Sequence, residues 1–168
     1  MKIVLMEYQK EWKALFETEK ASIIRAITDD SAWVEHIGST SVPELAAKPI
    51  IDIMIGLKGF ATADDFVLSL QDIGYRYISE FETSFPERKF LVKAQDGVST
   101  HHIHMVEYGS HFWRRHILFR DYLINNQMAK EQYESLKRDL ALKEWEDGNE
   151  YASAKTSFIR EIERKADS

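Results

Sequence analysis

The chain has 168 residues, of which 44% are apolar and 30% charged, with a formal net charge of −6 and no cysteine. That size and composition suit one globular domain over residues 1–168 with a real core, and they exclude disorder, a disulfide framework and thiolate metal ligation. The acidic balance excludes broad nucleic-acid binding, and no apolar run approaches the roughly 20 residues that span a bilayer, so no membrane association and a cytoplasmic location are expected.

In chain order, Trp12, Leu15, Phe16, Ile23, Ala26 and Ile27 recur at helical spacing and predict a helix over 9–28. A short strand follows over 32–37, then a loop over 42–49 carrying Pro43 and Pro49, then a nearly all-apolar strand over 50–57 that reads as central and buried on both faces. Residues 62–73 form the second predicted helix, capped by Thr62 and stopped by Gly74. Strands are predicted over 75–78, 89–94 and 100–106, the last two joined by Gln95-Asp96-Gly97. Beyond Gly109 the pattern is helical over 110–125, 128–145 and 151–164, with Asp147-Gly148-Asn149 making the last turn. The order implies an α/β (α+β) fold, a small mixed sheet flanked by helices with a helical C-terminal part. Trp12, Trp33, Phe60, Phe90, Trp145 and Phe158 read as core.

The chemistry concentrates where Glu35-His36-Ile37 ends in Gly38-Ser39-Thr40-Ser41 and Ile51-Asp52-Ile53-Met54-Ile55 follows. A Gly-Ser turn beside an acidic strand is how nucleotidyltransferases set a triphosphate against a metal-binding carboxylate. Glycine lets the backbone approach a phosphate, and N–H and hydroxyl groups of Ser39, Thr40 and Ser41 can donate to its oxygens. A second carboxylate is expected two residues past Asp52, where alternation returns to the same face, and Met54 stands there. His102 and His104 share one strand face, so they can bind one divalent metal with Asp52 or His36 completing the set, or be satisfied by backbone or carboxylate partners. In the helix over 110–125, Phe112, Trp113, Ile117, Phe119, Leu123 and Ile124 form an apolar arc that also contains His116 and Arg120. Arg120 must then meet an anion, either a ligand phosphate or an internal Asp52 or Glu35. Lys48, at the mouth of the acidic strand, suits a phosphate contact, and Lys155 and Arg88 are further cationic candidates.

The segments His36-Ile-Gly-Ser-Thr-Ser-Val-Pro-Glu-Leu-Ala-Ala-Lys-Pro-Ile-Ile-Asp-Ile, His102-Ile-His-Met-Val, Phe112-Trp-Arg-Arg-His, Phe119-Arg-Asp-Tyr-Leu and Tyr151 with Ala154-Lys-Thr together resemble the GrpB family. The resemblance implies a nucleotidyltransferase-like fold. In active members of that superfamily three carboxylates on two strands hold divalent ions, which activate the attacking hydroxyl and steady the leaving pyrophosphate. Carried over, Gly38 and Ser39 match the Gly-Ser turn, Asp52 the first carboxylate, Met54 the second, and His104 or His102 the third. Imidazoles suit manganese, zinc or nickel better than magnesium.

The implied function is metal-assisted nucleotidyl or phosphoryl transfer from a nucleoside triphosphate to a small polar acceptor. Asp52 and His104 are then catalytic and Asp52, His102 and His104 hold magnesium, manganese or zinc, while Gly38, Ser39, Thr40, Ser41, Lys48, Arg120 and Lys155 bind phosphate; His36 and His116 are pocket candidates. The alternatives are a module that binds a nucleotide or phosphorylated metabolite without turnover, and a folding accessory with a protein partner, as the family's fusions to dephospho-CoA kinase imply.

Overall fold

The computed structural model describes residues 1–28 and 31–167. Among these, five strands, β1 (Trp33–Ile37), β2 (Ile51–Leu57), β3 (Arg76–Tyr77), β4 (Arg88–Gln95) and β5 (Val98–Glu107), form one mixed sheet in the order β1-β2-β5-β4-β3. Only β2 and β5 run parallel, pairing Asp52 with His102 and Met54 with His104. Asp96 and Gly97 both take positive φ, 52° and 79°, which matches the right-handed twist of the β4–β5 hairpin they close.

Alternation along β2 divides the core. Ile51, Ile53, Ile55 and Leu57 pack under α1 (Glu11–Ile27) and α2 (Ala63–Asp72), against Trp12, Phe16, Ile23, Val67 and Leu70. Met54 faces the other way and joins Ile37, Val106, Phe112 and Trp113 beneath α3 (His111–Asn125). Gly56 lets α3 come this close, because a Cβ there would sit 2.6 Å from the Trp113 ring. The position where a second acid was expected is thus filled by a fully buried thioether that seals the sheet against α3.

The C-terminal helices are α4 (Gln127–Ala141), α5 (Gly148–Ala154) and α6 (Thr156–Ala166). The helix expected over 128–145 stops at Ala141, and the one expected over 151–164 is two helices divided at Lys155. Asp147 starts α5 by accepting from the Glu150 N–H at 2.9 Å. Thr62 does not cap α2; its hydroxyl donates to the Gly59 carbonyl in a preceding 3-10 turn. Trp33 begins the edge strand and stays 40% exposed, stacked on Tyr108 at 3.9 Å between ring centroids, while Ile124 in the last turn of α3 is 42% exposed.

Candidate functional site

The chain leaves β1 through Gly38, at φ 75° and ψ −178°, a conformation essentially restricted to glycine. A Cβ at this point would lie 2.6 Å from Asp52 Oδ2, so glycine is required twice over, by the turn and by the carboxylate packed against it. Thr40 and Ser41 then spend their hydroxyls internally, donating to the Ile50 and Gly38 carbonyls. Ser39 instead reaches the C-terminal helices, with its Oγ 2.8 Å from Lys137 Nζ.

Asp52 sits at the start of β2, its side chain 28% exposed, with Oδ1 3.4 Å from His104 Nε2 and 3.6 Å from His102 Nδ1. Burial works against its charge, yet the two imidazole contacts outweigh burial and hold the carboxyl well below the usual carboxylate range. Arg88 lies on the other side of His104, with Nη1 3.2 Å from Nδ1. A guanidinium can only donate, so Nδ1 accepts and the His104 proton sits on Nε2, directed at Asp52. His102 presents Nδ1 to the same carboxylate oxygen and also lines the cleft.

These residues form the floor of a cleft of about 780 Å³ whose opposite wall comes from the C-terminal helices. Lys137 of α4, Lys155 at the α5–α6 junction and Lys48 after the loop over 42–47 all line it. Burial, with Lys155 nearby, pushes Lys137 down to about 7; burial likewise pushes Lys155 down to about 8 and lowers Lys48. Their ammonium groups lie over aromatic rings, Lys155 4.7 Å from the Tyr151 centroid, Lys48 5.6 Å from the same ring and Lys137 5.0 Å from Tyr133. Against Lys48, Lys137, Lys155 and Arg88, the one carboxylate lining the cleft among the described residues is Asp52.

The cleft therefore gathers Gly38, Ser39, Thr40, Lys48, Asp52, His102, His104 and Lys155 from the sequence-based set, and four members fall elsewhere. His36 points to the opposite face of the sheet, where its ring stacks on Phe16 at 4.7 Å and its Nε2–H donates to Thr40 Oγ1 at 2.9 Å; burial pushes it down to about 4. Arg120 is held by Glu35 at 2.7 Å, by Asp121 at 2.9 Å and by the His36 carbonyl, so its anion is internal and it clips α3 to β1. His116 lies behind His104, stacked on Phe112, donating Nδ1–H to the Phe112 carbonyl at 2.8 Å, and pushed down to about 4 by burial. Ser41 donates to the Gly38 carbonyl within its own turn.

The expected metal set also needs correction. Among the described residues no group of three or more His, Cys, Asp or Glu side chains is placed to hold an ion. The chemistry agrees: with Arg88 donating to Nδ1, His104 has no lone pair at Nε2 to offer a cation beside Asp52, and moving the proton to Nδ1 would set donor against donor. The remaining donors, Asp52 and His102, fall short of a magnesium or zinc shell.

Sequence reasoning missed Lys137, Tyr133 and Tyr151, and read Phe90 as core although it lies on the cleft wall. Lys137 carried a usable signal: it follows Ala129 and Tyr133 at four-residue steps on the buried face of α4 and is 2% exposed, the same inward-cation conflict seen at Arg120.

A structure described as conserved protein GrpB from Enterococcus faecalis superposes with a TM-score of 0.86 at 34% identity, covering 97% of this chain and 96% of that one. The Cid1 poly(U) polymerase bound to magnesium and 3'-dATP matches 82% of this chain and 43% of its own with a TM-score of 0.55; at 15% identity that likeness shows a shared nucleotidyltransferase-like fold. The glutamate-rich protein GrpB of Alkalihalophilus pseudofirmus is 34% identical over 163 residues, 95% of this chain and 93% of that protein. The family model described as GrpB protein matches residues 2–165, and on these grounds the chain is a member of the GrpB family.

Proposed function

We propose that the chain binds a small polyphosphorylated ligand of the nucleoside triphosphate class, its phosphates lying against Ser39, Lys48, Lys137 and Lys155. One observation carries this reading: a cleft lined by four cations and one carboxylate, in a chain whose formal net charge is −6. Lysines crowded together and stripped of water destabilise one another, and an anion relieves that repulsion. The nucleotidyltransferase-like fold, seen with a bound nucleotide in Cid1, supports the choice of ligand class.

Group transfer to a small polar acceptor is the second reading, favoured by the Asp52–His102 contact. A carboxylate behind Nδ1 orients the imidazole so that Nε2 can take the proton of an acceptor hydroxyl. The hydroxyl oxygen then bonds to phosphorus, the bond to the leaving oxygen breaks, and the lysines neutralise the departing pyrophosphate. His104, with both nitrogens engaged, positions Asp52 and moves no proton.

Calorimetry with ATP and with inorganic triphosphate tests the binding reading. Both are expected to bind near the micromolar range, and Lys137→Met and Lys155→Met each to weaken binding at least about tenfold. Absence of any heat or thermal shift with either compound would refute it. Pyrophosphate release over an acceptor panel, lost in His102→Ala while ATP still binds, would establish the transfer.

A further inference from the structure

The cleft has a fourth cation whose circumstances differ from those of the three lysines. Arg88 opens β4, and its guanidinium carbon lies 4.9 Å from the ring centroid of Phe90, 5.2 Å from Phe85 and 5.8 Å from each of Phe81 and Phe112. Its Nε is buried with no hydrogen-bond partner, and among the described residues no carboxylate forms an ion pair with it, although Glu87 precedes it in the chain. Its polar contact is His104 Nδ1, a neutral acceptor. A desolvated guanidinium held between phenyl faces, with a donor aimed at nothing, is expensive to maintain without an anion. Arg120, by contrast, is fully supplied by Glu35 and Asp121.

Topology separates this wall from the lysines. Reading across the sheet, the Gly38–Ser39 turn follows β1, Asp52 lies on β2, His102 and His104 on β5, and Arg88 and Phe90 on β4. Ser39 and Lys137 therefore occupy one side of Asp52 and the Arg88 wall the other. Phe85 is 45% exposed, so the wall opens to solvent and offers a ring face.

We propose that Arg88 with Phe81, Phe85 and Phe90 forms a second subsite, for a flat aromatic ring bearing a carboxylate, placed beside His102 where an acceptor would stand. The ring stacks on phenyl faces while the carboxylate takes the terminal nitrogens of the guanidinium, whose charge the buried and unpartnered Nε leaves uncompensated. A cationic acceptor is excluded by the same guanidinium. This deepens the proposed function and rests on it only in assigning the lysine side to phosphate.

The test uses the full chain, labelled with nitrogen-15, and follows the Arg88 Nε–H resonance, assigned by its loss in Arg88→Lys. Benzoate is expected to shift it saturably, benzamidine to leave it in place, and cyclohexanecarboxylate to bind at least about tenfold more weakly, or about 1.4 kcal/mol. Phe85→Ala, at a half-exposed position, should weaken benzoate by a similar factor with an unchanged melting temperature. Inorganic triphosphate should not displace benzoate. A saturable benzoate shift without any triphosphate binding would support this subsite while overturning the phosphate reading. No saturable shift, competition by triphosphate, or benzoate binding indifferent to both Arg88→Lys and Phe85→Ala would overturn the subsite.

Discussion

At Gly38 a single missing Cβ sets the spacing between backbone and carboxylate. Gly38→Ala must force both a glycine-only backbone conformation and a contact of 2.6 Å with Asp52, and is expected to destabilise the fold by about 1–3 kcal/mol in thermal or urea unfolding while also weakening ligand binding. A variant as stable as the parent would contradict the described turn. The tautomer at His104 has its own test: equilibrium dialysis against magnesium, manganese and zinc is expected to leave no stoichiometric ion, and one retained per chain, lost in Asp52→Asn, would contradict the Arg88-to-His104 hydrogen bond. The Gly38–Asp52 pairing was legible in the sequence because turn chemistry and strand pattern are local. The role of His104 was not, because it depends on Arg88, which reaches it only once β4 pairs with β5.

At the scale of elements, α3 shows what an apolar arc can and cannot say. Its pattern correctly marked Arg120 and His116 as inward, but which anion Arg120 meets depends on how α3 crosses β1, and that is tertiary information. Arg120→Met is therefore expected to lower stability by about 1–2 kcal/mol, through the lost bonds to Glu35 and the His36 carbonyl, with triphosphate affinity unchanged in calorimetry. A tenfold loss of affinity with unaltered stability would instead return Arg120 to the phosphate site. His36 illustrates the same limit for strands: alternation was readable, but the register that sets Ile37 opposite Asp52, and so turns His36 toward Phe16, was not. The break at Lys155 escaped detection because no glycine or proline marks it, and it is this break that places Lys155 at the cleft.

For the whole molecule, buried titratable groups make stability depend on pH in two windows. His36 and His116 fall from an ordinary 6.5 to about 4 on folding, so between those values the unfolded chain holds more protons and stability declines as pH falls. Lys137 and Lys155 fall from 10.5 to about 7 and about 8, so the unfolded chain again holds more protons and stability rises from about pH 7 toward pH 10. Urea midpoints measured across both windows should follow these slopes, and Lys137→Met should flatten the alkaline one. No helix among the described residues is long and apolar enough to cross a membrane. What the sequence foretold at this scale was the mixed sheet and the helical C-terminal part. What it could not foretell was that α4 and the α5–α6 junction would close over the Gly-Ser turn and bring two of the cleft's four cations, Lys137 and Lys155.

That closure yields the most direct test of the central claim that the cleft lysines hold phosphate. Binding of inorganic triphosphate is measured calorimetrically at pH 8 in two buffers of different ionisation enthalpy. Lys137 and Lys155, part neutral in the free protein, should become charged against the anion. The expected result is saturable binding with net proton uptake, reduced in Lys137→Met, and affinity that falls as pH rises. Binding without proton uptake and unaffected by Lys137→Met, or no binding in either buffer, would contradict the account.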